Sequence, residues 1–148
     1  MYFEDYEVGM VFDEEIAPVT FTEEELIWAG KNFDPRKIHT DKDFVKDTHF
    51  GEVISPGSYS NMKFWSAWVK TGIDAEGMIA GLGVSYAKWL RPIFADTSYD
   101  IRVEVVDKKV RKPGYNGAVY FLMTAYDPEG EKVTEYCASG LVAFRDKT

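Results

Sequence analysis

Residues 58–72, SYSNMKFWSAWVKTG, constrain this chain more than any other stretch. Tyr59, Met62, Phe64, Trp65, Ala67, Trp68 and Val69 spread around nearly the whole circumference of a helix. A helix apolar on most sides is buried on most sides, and only Lys63 and Lys70 mark a polar strip. Gly72 is placed to stop it. Such a helix needs a partner that wraps it.

From residue 82 onward the pattern turns to strands. Val84–Leu90 runs up to Arg91-Pro92, and Ile101, Val103 and Val105 alternate with Arg102 and Glu104, as in a half-buried strand. Ala118–Tyr126 is continuous and β-rich. Asp127-Pro128-Glu129-Gly130 forms a turn that returns Val133–Phe144 as the last strand. The first 21 residues read as short extended segments. Thr22-Glu23-Glu24-Glu25 is a capping box opening a helix that carries Leu26, Ala29 or Gly30, and Phe33 on its apolar side. That helix must end at Asp34, because the residue before Pro35 is pushed out of helical geometry. Asp41 is placed to cap a short second helix, with Phe44 and Val45, ending near Gly51. Helices early and a long antiparallel meander late define an α+β fold, a sheet around one long central helix. At 148 residues the chain is expected to be a single domain, 1–148.

Charge and cysteine content narrow the partners. A net charge of −8 is the wrong sign for nucleic acid or an anionic membrane surface. The single cysteine, Cys137, excludes an intrachain disulfide framework and fits a reducing compartment. No run approaches the roughly 18 apolar residues of a membrane span. The opening MYFEDYEVGM lacks the charged-then-apolar order of a secretion signal. A cytoplasmic protein is expected.

Chemistry concentrates between Asn32 and Gly57. Both histidines of the chain, His39 and His49, lie there. Asp34 and His39 sit five residues apart, spaced for a helix exit followed by a turn. A carboxylate and an imidazole can jointly hold a water, one taking a proton while the other gives one. The same spacing also suits an aspartate capping a turn beside Pro35 and an uninvolved loop histidine. Gly57, just before the apolar helix, offers backbone N–H groups at a positive dipole end, suited to an enolate or thioester oxygen. Pro56-Gly57 equally suits a plain turn into the helix.

Other reactive groups read as structural. His49 has no obvious partner, and two histidines without ligand spacing make a weak case for zinc. Cys137 alternates within a strand and packs. Lys108-Lys109-Val110-Arg111-Lys112 is the only basic run, either a solvated hairpin end or a phosphate contact.

Several segments together resemble the MaoC-like dehydratases, the R-specific enoyl-CoA hydratases. They are Phe33-Asp34-Pro35 with His39-Thr40-Asp41, Phe50-Gly51 with Ile54-Ser55-Pro56-Gly57, Tyr6-Glu7-Val8-Gly9, Trp89 to Thr97, and Asp127 to Glu131. The resemblance spans most of the chain in order. It implies a hot-dog fold, assembled as a homodimer or dimer of dimers with the active site at the subunit interface. It implies Asp34 and His39 as the water-holding pair and the Gly57 amide as the group that polarises a thioester. The implied substrate is a trans-2-enoyl thioester. No metal or redox cofactor is implied; coenzyme A is the handle of the substrate.

The pattern departs from the family at three places. Pro35 follows Asp34 directly and Arg36 holds a position commonly asparagine; Pro56 replaces a frequent histidine; Ala95 replaces a glycine. Arg36, if it points inward, favours an acyl group with its own carboxylate. The alternatives to a hydratase are a hot-dog thioesterase and a non-catalytic acyl-CoA-binding dimer module. The intact Asp34/His39 pair favours hydration over both.

Overall fold

Five strands hydrogen-bond into one antiparallel sheet in the computed structural model, which describes residues 1–146. They are β1 (Val11–Phe12), β2 (Met78–Trp89), β3 (Asp100–Lys112), β4 (Asn116–Tyr126) and β5 (Lys132–Ala143). Their order across the sheet is β1-β3-β4-β5-β2, so β2 is an edge strand paired only with β5. Four helices precede or interrupt them: α1 (Glu23–Phe33), the single turns α2 (Lys37–Thr40) and α3 (Lys42–Val45), and α4 (Gly57–Val69).

The sheet wraps α4 as the residue pattern requires. Phe64 and Trp68 are fully buried, and the Trp68 ring packs against Phe12 of β1 and Phe121 of β4 at centroid distances of 5.0 and 6.0 Å. Alternate residues of the sheet, among them Val103, Val105, Val119, Phe121 and Met123, close the core from the other side. Burying one such side chain contributes about 1.5–3 kcal/mol. Thr134 of β5 bonds the Asn61 side chain at 2.8 Å and the Lys88 carbonyl at 2.9 Å, joining α4, β5 and β2.

Several expectations change. α4 is not covered all round: Met62 and Val69 are 70% and 48% exposed, and the buried face includes the polar Ser60 and Asn61. Strand β2 begins at Met78 rather than 82, and Ile79, Leu82 and Val84 on it stay exposed, with no strand beyond that edge among the described residues. Phe33 points outward against Trp28, while Leu26, Ala29 and Gly30 form the buried face of α1. Asp41 does cap α3 through the Asp43 and Phe44 amides, but the helix stops at Val45 and turns carry the chain to Gly51. The first 21 residues hold a 3₁₀ turn at Phe3–Asp5, the two-residue β1 and a bridge from Val19 to Tyr99. The basic run ends β3 and is tied to its neighbours in part. Lys108 donates to the carbonyls of Phe3 and Tyr6, pinning the N-terminal turn, and Lys109 and Lys112 lie over Tyr120 and Tyr115.

Candidate active site

Asp34 is placed by the end of α1. Its N–H closes the last turn onto the Gly30 carbonyl, and Pro35 forces its backbone out of the helix to φ −154°, ψ 86°. The side chain is thereby released toward α2. His39 arrives from α2 with its ring 7% exposed, and its Nε2 lies 3.4 Å from Asp34 Oδ2. Gly30 permits this approach. A Cβ at Gly30 would fall 2.8 Å from His39 Cβ and 2.9 Å from Thr40 Cγ2, so only glycine lets α2 lie so close to α1.

The other face of the imidazole fixes its tautomer. His39 Nδ1 is 2.6 Å from the Ile54 carbonyl, which can only accept, so Nδ1 carries the hydrogen. Neutral His39 then presents an Nε2 lone pair toward a carboxylate oxygen. Two neighbouring acceptors suit a water molecule, whose two hydrogens can be donated one to each. The segment carrying the Ile54 carbonyl is itself held on both sides. Ile54 N–H donates to the Ile38 carbonyl, Ser55 N–H donates to the Ile93 carbonyl, and Ile54 bridges Phe94.

Gly57 opens α4 at the rim of the same space. Pro56 supplies no side-chain cap, so the first N–H groups of the helix stay free at its positive end. Gly57 is also required sterically. A side chain there would begin inside the space of the Trp89 indole, nearest its nitrogen. Asp34, His39 and Gly57 all line one cavity of about 550 Å³, with Phe33, Trp89 and Ile93 among its walls. The chain therefore brings the three expected residues together. Arg36 also lines this cavity, with its side chain 76% exposed and its Nη1 2.9 Å from Asp34 Oδ2, the oxygen that faces His39. His49 does not line this cavity; its ring lies tilted against Phe50 at a centroid distance of 4.0 Å. Cys137 is buried in β5, and burial pushes its thiol up, away from nucleophilic character.

A set of bonds holds α1 against α4 and so sets Asp34 relative to Gly57. Glu25 closes the capping box with Thr22 and also receives Lys63 Nζ at 2.7 Å and the Tyr59 hydroxyl at 2.7 Å. Burial pushes the Glu25 carboxyl up, but the bonds from Lys63, Tyr59 and the Thr22 amide together outweigh it and hold it below its ordinary 4.5. The same contact works the other way on the phenol: burial and then Glu25 push Tyr59 up to about 12.

Residues 6–126 match the MaoC-like domain family, a span that contains every site residue named above. The chain belongs to that family. The MaoC-like chain is also similar over nearly its whole length to solved structures. An Archaeoglobus protein described as a monoamine oxidase regulatory protein is 26% identical, with a TM-score of 0.87 over 97% of this chain and 95% of its own. A MaoC-like dehydratase from Rhodospirillum rubrum is 22% identical, with a TM-score of 0.86 over 98% of each chain. An R-hydratase from Pseudomonas aeruginosa is 22% identical, with a TM-score of 0.73 over 99% of this chain and 88% of its own. The last two likenesses carry the fold alone, and the fold is the hot-dog that the resemblance implied.

Sequence reasoning missed four contributors to the site. The Ile54 carbonyl and the Gly30 contact depend on how α2 lies between two other segments, which no local pattern encodes. Glu25 was legible as a cap but not as the tie to α4. Trp89 stood inside a family-like segment, yet its place over Gly57 follows only from the pairing of β2 with β5, Trp89 opposite Thr134.

Proposed function

We propose that this protein hydrates a trans-2-enoyl thioester of coenzyme A, or runs the reverse dehydration of the 3-hydroxyacyl thioester. One observation carries the reading. The lone-pair nitrogen of a tautomer-fixed histidine faces a carboxylate at 3.4 Å in a cavity rimmed by the free amide of Gly57. Water held by Asp34 and His39 loses a proton to the pair as its oxygen bonds to C3. The C2–C3 π electrons move toward the carbonyl, and the enolate oxygen is stabilised by the Gly57 N–H. The pair returns a proton to C2, leaving the 3-hydroxyacyl thioester. This is acid–base chemistry in which coenzyme A is part of the substrate and no metal or redox group takes a step. The R-hydratase likeness supports the reading at the level of fold.

A second copy of the chain is the partner that fits. Ile79, Leu82 and Val84 on edge strand β2 and Met62 on α4 leave apolar surface uncovered. Pairing through β2 in a homodimer covers the strand residues and leaves further surface for a dimer of dimers. Sedimentation of the wild type and of Val84→Asp tests this; a monomeric wild type would refute it. Among the described residues, no helix is long and apolar enough to cross a membrane.

The activity test is a spectrophotometric assay against crotonyl-CoA and a panel of branched and dicarboxylic enoyl-CoAs, with free thiol followed in parallel. Loss of the conjugated absorbance without thiol release is the expected result. Thiol release would make the protein a thioesterase, and binding without turnover would make it an acyl-CoA carrier.

A further inference from the structure

Asp34 has a second neighbour besides His39. Arg36 Nη1 donates to Asp34 Oδ2 at 2.9 Å, and His39 Nε2 lies 3.4 Å from that same oxygen. The Arg36 backbone is fixed by the turn that delivers the histidine, its carbonyl accepting from His39 N–H at 3.0 Å. The guanidinium is thereby held at the reacting pair. Its side chain lines the cavity and stays 76% exposed, so most of its surface is open to whatever enters. Arg91, 53% exposed, lines the same cavity. Apart from His39, the ionisable residues of this lining are two arginines and one aspartate, in a chain whose net charge is −8. The cavity is a locally cationic place, suited to an anionic group.

From this placement we infer that Arg36 reads a carboxylate on the acyl group, making the substrate a short trans-2-enoyl thioester with a carboxylate at its far end. The inference rests on the hydratase reading and names the acyl class. C3 lies about 3 Å from the attacking water, and that water lies about 3 Å from Asp34 Oδ2. Arg36 Nη1, a further 2.9 Å on, is then within about 9 Å of C3. An arginine–carboxylate contact takes up about 3 Å of this, so the substrate's carboxylate oxygen lies within about 6 Å of C3. At about 1.5 Å per bond, an extended chain meets that limit with its carboxyl carbon at C4, C5 or C6. A carboxylate so near C3 also approaches the negative Asp34. Arg36 offsets that repulsion, because one guanidinium can serve two carboxylates through separate N–H groups. With an acyl chain ending in methyl, Arg36 stays paired to Oδ2 alone, the oxygen that must also hold the water.

The test follows the ratio of kcat/KM for glutaconyl-CoA, whose carboxyl carbon is C5, to that for crotonyl-CoA, which ends in methyl. The wild type is expected to favour glutaconyl-CoA. Arg36→Gln is expected to lower the ratio by roughly 10–100-fold, with Arg36→Lys recovering part of it. A wild type that prefers crotonyl-CoA, or a ratio unchanged in Arg36→Gln, would overturn the inference. The phosphates of coenzyme A are the other anions of the substrate, and N-acetylcysteamine thioesters lack them. The preference for the carboxylate is expected to persist with those thioesters; its loss there would assign Arg36 to phosphate and overturn the inference. A second readout needs no turnover. Calorimetry is expected to show glutaryl-CoA binding roughly tenfold tighter than butyryl-CoA, with the two equal in Arg36→Gln. If nothing is hydrated but this difference holds, the hydratase reading falls and the carboxylate site stands. Hydration without any such preference removes the carboxylate site alone, and if no acyl-CoA binds, both fall.

Discussion

The two ends of α4 are built from opposite materials. At the N-terminal end the helix opens on Gly57 with free amides, and a carboxylate and an imidazole stand across a cavity. At the C-terminal end Trp68 and Tyr6 are fully buried and Asp74 is 6% exposed. There burial pushes the Asp74 carboxyl up, and burial with Asp74 nearby pushes the Tyr6 phenol up. Burial at that end favours neutral groups and serves packing. The positive end of the helix dipole is left open to a ligand, and the negative end is closed by side chains. Reactivity in this molecule follows access to unpaired donors and acceptors, whereas buried polar groups alone do not make a site.

The contrast breaks first at the open end. Asp34→Asn and His39→Ala are each expected to lower the hydration rate by roughly 10²–10⁴-fold with the circular dichroism spectrum unchanged. A variant with wild-type turnover would remove that residue from the mechanism. At the closed end, Trp68→Ala is expected to destabilise the fold by about 3–5 kcal/mol in urea titrations. Turnover per folded molecule should stay near wild type, because Trp68 lies about 16 Å along the axis from Gly57 at about 1.5 Å per residue. A large kcat loss in the folded fraction would show that the two ends are coupled.

Gly57→Ala sharpens the contrast, since the new methyl must displace the indole of Trp89. Overpacking of this kind costs about 1–3 kcal/mol, and kcat should fall with it, read from paired melting and kinetic measurements. Glu25 gives the smallest effect. Its carboxyl titrates lower in the folded state than in the unfolded chain, so its contribution is present above 4.5 and is lost as pH falls through the lowered value. Glu25→Gln should therefore reduce stability at neutral pH by about 1 kcal/mol and flatten the acid limb of the stability curve. An unchanged acid limb in Glu25→Gln would show that the tie between α1 and α4 carries no weight.

Local pattern made much of this molecule legible. The helix ending at Asp34 follows from Pro35, and the capping box at Thr22 and Glu25 and the turn at Asp127 to Gly130 each rest on neighbouring residues. The alternation of Ile101, Val103 and Val105 places their side chains in the core without further information. The apolar helix is legible too, but its cover within one chain is less complete than its residues suggest. Hydrophobicity says that a surface avoids water, and it does not say whether the cover comes from the same chain. Met62, Val69 and the β2 edge are the result.

By itself, then, the sequence determined an α+β chain with a central helix, a sheet to wrap it, and an aspartate, a histidine and a glycine at its opening. Tertiary structure alone decided the chemistry those residues can perform. The Ile54 carbonyl selects the hydrogen on His39 Nδ1, Gly30 lets the ring approach Asp34, and β2 lays Trp89 against Gly57. Each of these is a contact between different segments of the chain. Period and propensity describe which face of one element is buried, whereas a tautomer or a close approach depends on the distance between atoms of different elements.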